Sequence, residues 1–137
     1  MPRAGFYRIA LHPGFLSLLK SSVPLAVHAT GETVCMNGLP TACYLTVPER
    51  SGPFAVYVSG DLGNESVRAV VRDAAGTVVW DADNVHRWRG WVSPASPRPG
   101  LWKLDLLRPS KDGFDDYKVE MSGLPPFLFL SAEKYWK

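Results

Sequence analysis

The sequence predicts an all-β chain folded as a single antiparallel β-sandwich, jelly-roll-like in its strand plan. Three observations lead there. Apolar and polar residues alternate with period two in short runs. Twelve Gly and 12 Pro punctuate the chain at short intervals. No stretch keeps a 3.6-residue apolar period through three turns. Glycine and proline both weaken helix interiors, so this density of breakers favours short strands joined by turns. A chain of 137 residues fits one domain. It buries roughly two-thirds of its unfolded surface, so its core requires neither metal nor disulfide. The expected domain spans 1–137, with less regular strands over 1–40, a core sandwich over 41–130 and a tail over 131–137.

Taken in order, Phe15–Ser22 fits one or two helical turns. Pro13, Pro24 and Pro40 cut the first 40 residues into pieces, in which Leu25–Ala29 and Glu32–Cys35 read as strands. Cys43, Leu45 and Val47 alternate with Ala42, Tyr44 and Thr46. Phe54, Val56 and Val58 alternate with Ala55, Tyr57 and Ser59, and Val67, Ala69 and Val71 with Arg68 and Arg72. After an Ala75-Gly76 turn comes Thr77-Val78-Val79-Trp80, followed by an Asp81–Asn84 turn. Ser93–Gly100 carries three prolines, which excludes a central strand. Trp102, Leu104 and Leu106 then alternate with Lys103 and Asp105, and Tyr117, Val119 and Met121 with Lys118 and Glu120. One apolar and one charged face mark sheets packed on one side only.

Composition narrows the function. Hydrophobic residues are 46% and charged residues 20%, which excludes wholesale disorder. The net charge is only +2 and no basic cluster stands out, so no nucleic-acid partner is expected. Phe15–Leu19 is too short to cross a membrane, and no membrane partner is expected either. The two cysteines, Cys35 and Cys43, flank Asn37-Gly38, a hairpin turn signal. They read either as a disulfide formed in an oxidising compartment or as two buried thiols.

Motifs of catalysis are absent. No GxSxG, HExxH, P-loop or GxGxxG occurs, and His12, His28 and His86 are scattered. Small sandwiches rarely set two carboxyls across a cleft, so no enzymatic activity is expected. No cofactor is expected. Calcium is the one candidate ion, at Asp81–Asn84 or Lys111–Asp116, although Asp and Asn in such places also serve as ordinary turn residues. Asn64-Glu65-Ser66 matches the glycosylation acceptor pattern.

The segment His86-Arg87-Trp88-Arg89-Gly90-Trp91 carries the functional expectation. Odd spacing sends Trp88 and Trp91 to opposite sides of a strand, one to the core and one outward. An exposed Trp flanked by Arg, Asp and Asn suits a sugar, whose C–H face stacks on the indole while the polar side chains bond its hydroxyls. The expected binding set is Trp88, Trp91, Arg87, Arg89, His86, Asp83 and Asn84. The Arg87-Trp88-Arg89 run would equally stack nucleobases, and the same tryptophans also suit the core of a small sandwich.

Residues 42–130 resemble the β-sandwich of bacterial pre-peptidase C-terminal domains and similar accessory domains of secreted hydrolases. The pieces that carry this are Tyr44–Pro48, Val70–Gly76 with its Asp73-x-x-Gly76 hairpin, Pro99–Leu104 and Asp116–Val119. The tail, Gly123–Leu128 and Ser131–Trp136, resembles the C-terminal ends of large bacterial carbohydrate-active proteins. The resemblance implies an extracellular or periplasmic location and a catalytic domain of a larger protein as partner, with a polysaccharide or oligosaccharide as ligand. The combined expectation is a non-catalytic carbohydrate-binding module. The alternative is a ligand-free accessory domain that stabilises a secreted enzyme or mediates protein contacts.

Overall fold

The computed structural model describes residues 22–30, 40–61 and 63–135. Glu32–Cys35, the Asn37-Gly38 turn, Trp136 and all but Ser22 of the helical turns expected at 15–22 lie outside the described residues.

Among the described residues, nine strands form two antiparallel sheets and there is no helix. The strands are β1 (Ala26–His28), β2 (Thr41–Val47), β3 (Ala55–Gly60), β4 (Val67–Arg72), β5 (Val78–Val85), β6 (Arg89–Val92), β7 (Gly100–Leu107), β8 (Tyr117–Ser122) and β9 (Phe127–Phe129). The larger sheet runs β1-β9-β2-β7-β4-β5 and the smaller β6-β3-β8.

Alternation decides which face each strand buries. In the six-stranded sheet, Cys43 and Leu45 of β2 sit opposite Leu104 and Trp102 of β7, and Val71 of β4 sits opposite Leu104. In the smaller sheet, Val56 and Val58 of β3 sit opposite Met121 and Val119 of β8. All of these are buried in one apolar cluster. Each fully buried aliphatic side chain contributes about 1.5–3 kcal/mol. The outer face of the larger sheet is a charge lattice: Asp105 is held by Lys103 at 2.7 Å and Arg72 at 3.6 Å, and Asp81 by a bidentate Arg68. That pairing holds the Asp81 carboxyl below its ordinary range.

The β4–β5 hairpin follows from its turn residues. Asp73 Oδ1 accepts the main-chain N–H of Ala75 and of Thr77, both at 2.9 Å. Gly76 takes φ +82°, which glycine adopts without a steric penalty.

One expectation is corrected here. Asp81–Asn84 is not a turn but the second half of β5, in which Ala82 and Val85 are buried against β4. Turn-forming residue types are overridden by the ladder and by Arg68. Their trace is a bulge, in which Asp83 and Asn84 stand against Arg68 alone, with Asn84 in the left-handed region at φ 52°.

Cys43 is a buried free thiol, while its expected partner Cys35 lies outside the described residues. Burial, reinforced by the Asp105 carboxylate, pushes the Cys43 thiol up to about 12. Only the thiolate is a good nucleophile, so Cys43 resists iodoacetamide in native protein at neutral pH and reacts once the chain is denatured. Peptide mapping of labelled protein checks this. Native labelling of Cys43 would show that the sheet around it opens readily.

Candidate functional site

Two polar turns and one aromatic strand set the geometry around β6. Asp83 and Asn84, on the β5 bulge, reach the loop after β7. Asp83 Oδ1 accepts the Ser110 N–H at 3.1 Å, Asn84 Nδ2 donates to Ser110 Oγ at 2.9 Å, and Asn84 Oδ1 accepts the Lys111 N–H at 2.9 Å. Hydrogen bonding from Ser110, its hydroxyl first and then its main chain, holds Asp83 below the ordinary carboxylate range. His86 Nε2 lies 3.0 Å from Asp112 Oδ2 in the same loop. Asp83, Asn84 and His86 therefore tie this end of β5 to the 108–112 loop through Asp83 Oδ1, both amide atoms of Asn84 and His86 Nε2. Arg87 and Arg89 are exposed and form no ion pair among the described residues. Also among the described residues, no group of three or more His, Cys, Asp or Glu side chains is gathered to hold a metal ion.

Trp88 and Trp91 part company, although Trp88 stands just before β6 and not on it, so strand alternation alone does not place it. Trp88 is 47% exposed. Trp91, paired with Val56 across β3, turns towards the core. Its ring meets Phe54 edge-on, with centroids 5.9 Å apart, and lies 6.0 Å from Trp102. The expected set thus separates into a loop clamp of Asp83, Asn84 and His86, two exposed arginines, an exposed indole and a half-buried indole.

The half-buried indole lines a concavity among the described residues. An open cleft of about 660 Å³ lies where β5, the last strand of the larger sheet, faces β6, the last of the smaller. Trp91 and the 2%-exposed Trp102 form its floor, Val79 one wall, and Pro94 and Pro97 the other. Trp102 is fixed by its Nε1–H donating to the Arg98 carbonyl at 2.7 Å. At the rim the Arg98 guanidinium, 59% exposed, stands 4.0 Å from Asp73 Oδ2. At that distance the pair is loose, and both groups retain hydrogen-bonding capacity towards a ligand. An apolar floor with two opposite charges at the lip is equipped to hold a small molecule with one apolar and one polar face.

No protein-family model matches the chain, and no curated protein matches it. The site therefore stands on its geometry.

Asp73 and Arg98 escaped the sequence reading as site residues. Asp73 announced itself as a turn residue and Arg98 as part of a proline-rich loop. Nothing in a linear reading joins two residues so far apart in the chain. A second, smaller depression, lined by Tyr57, Trp88 and Glu120, lies on the outer face of the three-stranded sheet.

Proposed function

We propose that the protein binds carbohydrate without acting on it, in the cleft between β5 and β6. The observation that carries the reading is the Trp91 indole set in a concavity with Arg98 and Asp73 at its lip. A pyranose presents a C–H face that stacks on an indole, and hydroxyls that a guanidinium and a carboxylate bond from the edge. The cleft volume of about 660 Å³ falls among those of small-ligand sites. By the resemblance to accessory domains of secreted bacterial hydrolases, the module would hold a glycan beside a partner catalytic domain, outside the cytoplasm. Trp88, expected as a stacking residue of this site, takes no part in it.

A second reading is a ligand-free accessory domain. The contacts of Trp91 with Phe54 and Trp102 favour it, since they are equally those of a core anchor. A glycan array on the chain, followed by titration of any hit against Arg98→Ala and Trp88→Ala, separates the two. Losing a charge-assisted hydrogen bond costs about 1.5–3 kcal/mol, so Arg98→Ala weakens binding roughly 10- to 100-fold. Its melting temperature stays unchanged, because Trp102 bonds the Arg98 main chain and not its side chain. Trp88→Ala binds as the parent does. A parent chain that retains no glycan overturns the carbohydrate reading in favour of the structural one.

A further inference from the structure

We propose that the outer face of the three-stranded sheet carries a separate site for a methylated ammonium cation, in the depression among Tyr57, Trp88 and Glu120. This site does not depend on the cleft or on carbohydrate.

Strand register places the three groups. Tyr57 of β3 is directly opposite Glu120 of β8 on one side and Gly90 of β6 on the other. Directly opposed residues have Cβ atoms about 4.5–5.5 Å apart, and both Glu120 and Tyr57 line the depression. A Cβ built on Gly90 would collide with Cδ1 and Cε1 of Tyr57. The Tyr57 ring therefore lies across the bare backbone of Gly90 and leans towards β6. Trp88, two residues before Gly90, closes that end with an indole left 47% exposed. The resulting depression measures about 150 Å³. A cavity of about that size holds a benzene molecule, which is similar in bulk to a trimethylammonium group.

The lining chemistry selects the charge. Aromatic faces carry negative potential and attract cations, tryptophan most strongly. Glu120 adds a full negative charge and forms no ion pair among the described residues. Lys118, its neighbour on the same face of β8, is engaged by Asp61. Arg89 alternates to the other face of β6, opposite Val58. Arg87 is the one further cation adjoining Trp88 in the chain. Two rings and a carboxylate offer a primary ammonium few acceptors to replace its lost waters. A methylated ammonium is weakly hydrated and packs its methyl groups directly on the rings.

The test uses choline and its uncharged carbon isostere, 3,3-dimethylbutan-1-ol, followed by the indole N–H resonance of Trp88, assigned by its absence from Trp88→Phe. Choline, titrated well past the millimolar range, shifts that resonance saturably, and the isostere does not. Glu120→Gln weakens choline about tenfold and leaves the melting temperature unchanged. Equal shifts from both compounds would reduce the depression to an apolar contact and overturn the proposal. So would the absence of a choline shift, or a Glu120→Gln variant that binds as well as the parent.

Discussion

Trp102→Ala lowers the thermal unfolding midpoint by roughly 10–20 °C. Truncating a buried Trp to Ala costs about 3–5 kcal/mol, and each kcal/mol is worth roughly 2–5 °C in a chain of this size. The position is unforgiving because three supports meet there. The ring is 2% exposed, it meets Phe54 edge-on at 5.3 Å and Trp91 at 6.0 Å, and its Nε1–H takes up the Arg98 carbonyl. Removing it opens a cavity beneath the cleft, frees the proline-rich loop and leaves that carbonyl to water. Calorimetry of the variant measures the effect. A loss under about 3 °C, less than a single kcal/mol would produce in most chains of this length, would mean that the indole is not a core anchor.

Gly60→Ala produces the second large loss, by the opposite route. Gly60 ends β3 under the 63–66 turn, and a Cβ there would strike the Glu65 carbonyl oxygen and crowd the Ser66 Cα. Both obstacles are main-chain atoms, so no rotamer change relieves the clash. Overpacking of this kind costs about 1–3 kcal/mol and occasionally more. The turn above cannot shift freely, because Ser66 N donates to Gly113 O at 2.8 Å and Gly113 N to Asn64 O at 3.1 Å. Gly52→Ala is the control: nothing lies within 4 Å of its added Cβ. Denaturant melts of the two variants should differ clearly. Equal midpoints would show that the 63–66 turn is loosely held.

These two sites illustrate what a linear reading of the chain can and cannot reach. The strands of the core were legible because they obey one local rule. β7 and β8 alternate apolar residues with Lys103, Asp105, Lys118 and Glu120, and one buried apolar face accounts for Trp102, Leu104, Leu106, Tyr117, Val119 and Met121. β5 was legible only to Trp80, because Asp81–Asn84 has the composition of a turn. What keeps it in the sheet is its ladder with β4, reinforced where Arg68 of that strand holds Asp81, and neither is visible to local propensity. Odd spacing predicts one exposed and one core-facing tryptophan, but Trp88 stands outside β6, and the neighbours of each were not legible. Tyr57 and Glu120 come beside Trp88 only through the pairings of β3 with β6 and β8. Asp73 and Arg98 meet only because the β4–β5 hairpin and the β6–β7 loop end at the same side of the sandwich.

The two long sides of the sandwich are not alike. On one side the chain passes from β1 into a short crossing at Ala29 and Thr30. There Ala29 N–H donates to the Pro126 carbonyl at 2.9 Å, the Ala29 carbonyl accepts from Met121 at 3.1 Å, and Thr30 bridges Glu120. Main-chain bonds thus bind the two sheets together like the spine of a book. On the other side β5 and β6 share no ladder, and the chain itself crosses between the sheets once, through residues 86–88. The cleft lies along this fore-edge, at the end away from that crossing, between the start of β5 and the end of β6. A molecule seated there works as a clasp: it touches both covers at once, so its grip is felt by the whole sandwich and not by one strand.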